Sequence, residues 1–282
     1  MTEPAFDLVV ATVGRTGELV DLLGSLEEQT YGNFRVVVVD QNGDDRLEPI
    51  VASFDGKLPL VRLASETGLS RARNVGLREL AGDVVSFPDD DCRYPPDLLR
   101  TVAGLLVDNP SWDGVTGRTT DESGKSSFVL WQNEAGLVTR ENVWRTAVAV
   151  TLFLRRPVVE RVGAFDETLG AGSGTVWGSG EETDYVLRAV EAGFTIGYDP
   201  GLLVFHQSPE PGPGPASARK AYLIGMGNSR VLRRHGYPTW FAVYRVLQAA
   251  AGSAYFLVRG RLPLARFYWA MSRGRARGWL RA

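Results

Sequence analysis

The chain has 282 residues, 44% of them hydrophobic and 23% charged. That is an ordinary globular mix, which excludes a disordered or fibrous chain and allows a sizeable core without staples. One cysteine, Cys92, and two histidines, His206 and His235, exclude a disulfide framework and any cysteine-rich or multi-histidine metal site. The net charge of −2 conceals an asymmetry: after Glu210 there is no Asp or Glu, while residues 211–282 carry 13 Lys and Arg. The first 210 residues therefore hold 18 basic and all 33 acidic groups, a net of −15. An acidic body followed by a +13 segment implies an anionic partner for that segment. Nucleic acid is the poorer candidate, because the acidic body opposes it. The start, Met1-Thr2-Glu3-Pro4, has no basic stretch followed by an apolar run, so no secretory signal is expected.

In chain order, residues 6–11 read as a buried strand, and Leu19, Leu22, Leu23 and Leu26 set a helix over 17–29. Residues 34–39, rich in valine, form a second strand ending at Asp40; 59–63 is a third. A helix over 69–80, a strand over 84–87 and a helix starting near Pro95-Pro96 follow. This alternation predicts a parallel sheet with helices on its faces, whose ligands bind at the carboxyl ends of strands. The stretch 112–180 is less regular, with a strand expected over 148–154 and a glycine-rich loop over 170–180. A helix over 181–192 precedes short strands near 194–198 and 202–206. Four prolines within 208–215 mark a boundary, and helices are expected over 217–234, 238–258 and 262–280. The expected division is a domain over 1–207, in halves of about 1–110 and 111–207, a linker over 208–216 and an extension over 217–282.

Several clusters carry chemistry. Asp89-Asp90-Asp91 places three repelling carboxylates at a strand end, where a divalent cation can compensate them; the alternative is a cluster capping a helix start. Asp40 ends the second strand, where it can face a nucleobase or simply open a turn. Arg71 and Arg73 near a helix start oppose the helix dipole unless they face the aspartates or a phosphate. Glu181, Glu182 and Asp184 share a helix first turn behind Gly178-Ser179-Gly180, as dipole-favoured acids or as the source of a general base. Trp177 suits sugar stacking or core anchoring, and His206 ends a strand.

Together, Ala11-Thr12-Val13-Gly14-Arg15, the strand ending at Asp40, Gly68–Gly76, Phe87–Asp91, Arg161–Glu167 and Gly180–Asp184 resemble the family 2 inverting glycosyltransferases. The resemblance implies the GT-A fold, an α/β architecture with a Rossmann-like, mainly parallel sheet and helices on both faces, here followed by a C-terminal helical extension. It implies that Thr12, Arg15 and Asp40 border the nucleobase, that Arg71 or Arg73 lies near the donor, and that Asp90 approaches the ribose. Asp89 and Asp91 match the ends of the family's DXD motif, with Asp91 the metal ligand and His206 completing the site around Mn²⁺ or Mg²⁺. Glu182 matches the catalytic base, with Glu181, Asp184 and Trp177 in supporting or acceptor roles. Ala11, Val13 and Gly14 depart from the family's usual Pro-Thr-Tyr-Asn-Arg, and Glu182 stands where aspartate is commoner.

The implied reaction moves a sugar from a nucleotide-sugar, a UDP-sugar by the family's commonest choice, to a saccharide or lipid-linked hydroxyl in envelope polysaccharide or glycolipid synthesis. The expected location is cytoplasmic, peripheral at the inner face of the membrane. Aromatics interleaved with arginines after residue 239 suit helices in an anionic membrane interface, or packing in a homo-oligomer. Two rival readings are a sugar-phosphate nucleotidyltransferase and a non-catalytic membrane-binding protein on the same fold.

Overall fold

Period-2 alternation in two valine-rich runs builds the centre of the sheet. β1 (Phe6–Thr12) is buried along its whole length. It pairs in parallel with β2 (Phe34–Asp40) on one side and β4 (Val84–Ser86) on the other. β3 (Leu60–Ala64) pairs in parallel with β2. Leu8, Val10, Val36 and Val38 share a core with Leu19, Leu22, Leu23 and Leu26 of α1 (Gly17–Glu27) and with Leu98, Leu99, Val102 and Leu106 of α4 (Leu98–Asp108). On the alternate side chains, α3 (Leu69–Leu77) approaches so closely that a Cβ on Gly76 would lie 2.3 Å from a Val9 methyl. Helices therefore cover both faces. A further short helix, α2 (Glu48–Ser53), follows β2.

The computed structural model describes residues 3–121, 124–125, 130–206 and 211–282. Residues 208–210 of the expected linker, and Met1-Thr2 of the start, lie outside these. Strand order is β3-β2-β1-β4-β8-β6-β9-β5, where β5 is Cys92–Arg93, β6 Gly114–Thr120, β8 Phe153–Arg155 and β9 Ile196–His206; β7 (Gly136–Leu137) also pairs with β9. β8 runs antiparallel to both β4 and β6, so the sheet is mixed in its second half.

Three expectations change here. The strand over 148–154 is a single 3₁₀ turn, Ala149–Thr151, followed by β8. The two strands near 194–198 and 202–206 are one, β9, which runs through Asp199-Pro200-Gly201. Pro-Gly reads as a break, but β6 absorbs the irregularity with a register shift between Thr116 and Arg118. There a Cβ on Gly117 would come within 2.0 Å of the Leu202 carbonyl oxygen. β6 and α5 (Arg156–Val162) were not expected at all; the threonines and glycines of β6 give no apolar run.

The described residues divide into two units. The first holds the whole sheet and lies within 3–67, 71–165 and 185–206; the second lies within 68–70, 166–184 and 211–282, so the division passes through α3 and through α6 (Glu181–Glu191). In the second unit α7 (Pro215–Arg234), α8 (Thr239–Val258) and α9 (Leu262–Arg281) match the expected helices. Glycines bring α7 and α9 together at the backbone: a Cβ on Gly274 would meet the Tyr222 carbonyl oxygen at 2.1 Å, and one on Gly225 that of Met271 at 2.4 Å.

Candidate active site

Two strand pairings assemble an acidic cluster in the first unit. A parallel bridge between Ala11 and Asp89 continues the β1–β4 alignment beyond β4. The chain then turns, with the Cys92 N–H donating to the Asp89 carbonyl at 3.1 Å. It enters β5, whose Cys92 lies opposite His206 at the end of β9. A turn and a strand follow Asp89-Asp90-Asp91, and α4 begins only at Leu98, so the helix-capping alternative does not hold. Asp89, Asp91 and His206 each present one ligand atom, all within 4.8 Å of one another. Two hard carboxylate oxygens and one imidazole nitrogen form a donor set that fits Mn²⁺ or Mg²⁺.

Cations crowd this cluster. Arg15 Nη1 lies 2.6 Å from Asp90 Oδ1 and 2.7 Å from Asp91 Oδ2, and His206 Nε2 lies 3.3 Å from Asp91 Oδ1. Burial pushes the Asp90 carboxyl up, against the hydrogen bond from Arg15. At Asp91 burial also acts upward, but His206 and Arg15 outweigh it and hold the carboxyl low. His206 is raised: burial opposes its charge, yet Asp91 and Asp89 prevail. Arg73, only 2% exposed, donates from Nη2 to Asp89 Oδ1 at 3.2 Å and lies over the rings of Phe87 and Phe165. Arg71 instead bonds to Glu66 Oε2 and the Thr67 carbonyl.

Thr12, buried, ends β1, and its carbonyl accepts from the Gln41 N–H. Asp40 is buried, and both its oxygens are engaged. Oδ2 accepts from Arg62 Nε and Nη2 at 2.9 and 2.7 Å; Oδ1 accepts from the Asn42 N–H and side-chain amide, each at 2.8 Å. Asn42 Oδ1 in turn accepts from the Gly14 N–H. Arg62 escaped the sequence reading, and Asn42 was read only as part of the turn after Asp40. An arginine in the otherwise apolar run Leu60–Ala64, two residues before the partner of Asp40, was the available signal.

The second unit holds the other carboxylates. On the first turn of α6, Glu181 and Asp184 are buried; Glu182 alone of the three is not. Glu181 lies under the glycine-rich loop, where a Cβ on Gly170 would meet its carboxylate at 3.0 Å. Asp184, 0% exposed, faces His235 Nε2 at 3.0 Å and Arg234 Nη1 at 3.3 Å, and the same Arg234 nitrogen lies 2.6 Å from Asp166 Oδ2. Arg234 and His235 were not singled out from sequence, because they belong to a uniformly basic segment. α7 approaches the preceding loop at its backbone: a Cβ on Gly227 would lie 2.1 Å from the Ser179 carbonyl oxygen. Gly180, at φ +96, needs the left-handed region there. The half-buried Trp177 ring carries the Arg230 guanidinium at 5.2 Å. Gly170–Gly174, Leu223, Arg219 and Lys220 line a cleft of about 390 Å³.

The chain as a whole has counterparts among known proteins. The family model described as glycosyl transferase family 2 matches residues 7–162. Glycosyltransferase AglE of Haloferax volcanii is 25% identical over 243 residues, which is 82% of this chain and 75% of that protein. The poly(ribitol-phosphate) β-N-acetylglucosaminyltransferase TarS of Staphylococcus aureus is 31% identical over 129 residues, 42% of this chain but 22% of its own length. Among solved structures, the mannosyltransferase PcManGT of Pyrobaculum calidifontis, in complex with GDP-Man and Mn²⁺, superposes with a TM-score of 0.64 at 17% identity. It covers 100% of this chain and 89% of its own. TarS 1–349 in complex with UDP-GlcNAc gives 0.61 at 18% identity, covering 97% and 89%. With the family model spanning more than half of its residues, the chain belongs to glycosyl transferase family 2: it is a glycosyltransferase of the GT-A fold.

Proposed function

We propose that this enzyme is an inverting glycosyltransferase that moves a sugar from a nucleoside diphosphate sugar, UDP-sugar first, to a hydroxyl acceptor. The observation that carries the assignment of the base is the exposure difference on the first turn of α6. Glu181 and Asp184 are buried, and Asp184 is engaged by His235 and Arg234, whereas Glu182 is not buried. Glu182 takes the proton of the acceptor hydroxyl. The acceptor oxygen forms its bond to the anomeric carbon from the face opposite the leaving group. The bond to the diphosphate breaks with its electron pair, and charge of oxocarbenium character develops on the sugar.

Of Arg71 and Arg73, Arg73 is the one beside Asp89 and supplies fixed positive charge near the donor; Thr12, Arg15 and Asp40 border the nucleobase, and Asp90 approaches the ribose. Asp89, Asp91 and His206 would hold Mn²⁺ or Mg²⁺, which would supply charge neutralisation for a diphosphate leaving group. The acceptor is a saccharide or a lipid-linked saccharide of envelope polysaccharide or glycolipid synthesis. The cleft lined by Arg219 and Lys220 suits one carrying negative charge. In this reading the enzyme is cytoplasmic and peripheral at the inner face of the membrane, with residues 1–207 as the transferase domain and 217–282 as the extension.

Glu182→Gln tests the assignment, since it keeps the size but cannot accept the proton. Turnover is expected to fall about 10²-fold or more, with nucleotide affinity nearly unchanged. Near-normal turnover in this variant, beside a dead Glu181→Gln, overturns it.

A further inference from the structure

α8 is apolar on two faces: Ala242 and Ala249 are buried, and a second apolar face is exposed. Trp240, Val243, Tyr244, Leu247, Tyr255 and Val258 recur at intervals of three, four, seven and eight residues, which places them on one face of the helix. All are exposed: Trp240 by 69%, Leu247 by 60% and Val258 by 88%. No charged residue interrupts this stripe, which runs about 27 Å at 1.5 Å per residue. Arg245 lies about 140° round the helix from Trp240, and burial lowers its pKa. Arg275 of α9, 7% exposed, donates from Nη1 to the Arg245 carbonyl at 2.6 Å. Burial, with Arg245 nearby, brings its pKa down to about 9. Residues 211–282 contain no Asp or Glu. In water a helix pair leaves polar side chains, not a continuous apolar stripe, on its outward face.

We propose that the exposed stripe of α8 lies in the interface of an anionic lipid bilayer, parallel to its plane, with the exposed arginines Arg259, Arg261, Arg266, Arg273 and Arg277 at the level of the lipid phosphates. This deepens the membrane location proposed above and does not depend on the transfer chemistry. The outward face of α9 has the matching composition: Leu262, Trp269 and Leu280 alternate with Arg266, Arg273 and Arg277. Aromatic rings and arginines together are the residues that favour the headgroup region.

α8 is long and apolar enough to cross a membrane, but it is strapped lengthwise to α9. Ser253 Oγ donates to the Ala265 carbonyl at 2.8 Å, Ser272 Oγ to the Val246 carbonyl at 3.0 Å, and Tyr268 stacks on Phe256. Crossing would carry the arginines of α9 into hydrocarbon, so the pair lies along the surface. A second copy of the chain is the other occupant to weigh. A two-fold interface places like patches together; the stripe itself is uncharged, but the flanking Arg266, Arg273 and Arg277 of α9 would be duplicated beside it, and residues 211–282 hold no Asp or Glu to offset them.

The test is flotation of the full-length protein with phosphatidylcholine vesicles, with and without phosphatidylglycerol, beside the variant Trp240→Asp/Leu247→Asp. Both side chains are exposed, so the fold survives, as a thermal melt checks. The expected result is binding to anionic vesicles at least about a hundredfold tighter than to neutral ones, weakened by salt and abolished in the variant. Equal binding to both vesicle types overturns the proposal, as does variant binding equal to that of the parent protein. No vesicle binding, with a concentration-dependent dimer in sedimentation that the variant loses, assigns the stripe to a second copy and also overturns it.

Discussion

His235→Ala tests whether α7 holds the turn that carries Glu182, the proposed base. The ring bonds at 3.0 Å to Asp184, a carboxylate wholly removed from water on the first turn of α6, two residues beyond Glu182. A hydrogen bond to a charged group contributes about 1.5–3 kcal/mol, and stranding its buried partner adds to the loss. Arg234 stays 3.3 Å from the same oxygen, so the loss stops short of the roughly 3–5 kcal/mol seen when a buried pair is broken outright. The expected destabilisation is therefore about 2–3 kcal/mol, and at 2–4 °C per kcal/mol for a chain of this size the melting midpoint falls by roughly 4–12 °C. Below that midpoint turnover should also fall, because the turn that aims Glu182 has lost one of its anchors. Nucleotide affinity should not change, since the donor-side residues belong to the first unit. Differential scanning calorimetry, turnover and nucleotide titration are to be compared at one temperature well below both midpoints. A midpoint within 1 °C of the parent protein's, a shift worth under about 0.5 kcal/mol, would refute the reasoning, as would lost nucleotide affinity with turnover intact.

Other outcomes follow from the same geometry. Arg62→Ala leaves Asp40 buried with a single set of partners at Asn42; nucleotide affinity should drop and stability fall by about 2–4 kcal/mol, and an unchanged melt contradicts this. Gly227→Ala forces a methyl against the Ser179 carbonyl at 2.1 Å, so about 1–3 kcal/mol of stability should be lost; a stabilised variant, as expected for an unconstrained helix glycine, contradicts it. Metal binding needs a neutral His206. With its pKa raised above the ordinary 6.5 by Asp91 and Asp89 against burial, Mn²⁺ affinity should be full above the raised value and fall about tenfold per pH unit below it. In the metal-free protein the sign reverses. The His206 ion pair contributes stability that is complete below 6.5 and lost as pH rises through the raised value. A pH-independent Mn²⁺ titration contradicts both statements.

The sequence made the apolar framework legible where residue spacing alone decides the element. The valine runs of β1 and β2, the leucines of α1 and the three long C-terminal helices follow from such spacing. What stayed hidden depends on contacts between distant segments. The bulge at Gly117 lets β9 pass through a Pro-Gly pair, and no local signal on β9 announces it. The antiparallel pairing of Cys92 with His206 explains why the turn after Asp89 meets a histidine far along the chain. Family resemblance had put His206 beside the aspartates; composition and spacing alone could not. Arg62, Arg234 and His235 were passed over for different reasons. Arg62 sits in a strand whose partner register only the sheet defines, while Arg234 and His235 sit in a segment so basic that no single cation stands out. The exposed stripe of α8 was legible as an apolar run, but which side faced outward was not.

The central claim is that Asp89, Asp91 and His206 form a metal-dependent nucleotide-sugar site, and thermal shift with nucleoside diphosphates, with and without Mn²⁺, tests it most directly. A ligand at 100 times its dissociation constant stabilises by about 2.7 kcal/mol, so the account predicts a rise of roughly 5–10 °C with UDP and Mn²⁺. It predicts a much smaller rise with UDP alone, and loss of the Mn²⁺-dependent part in Asp91→Ala. Equal shifts with and without Mn²⁺, or a full shift retained by Asp91→Ala, would contradict it.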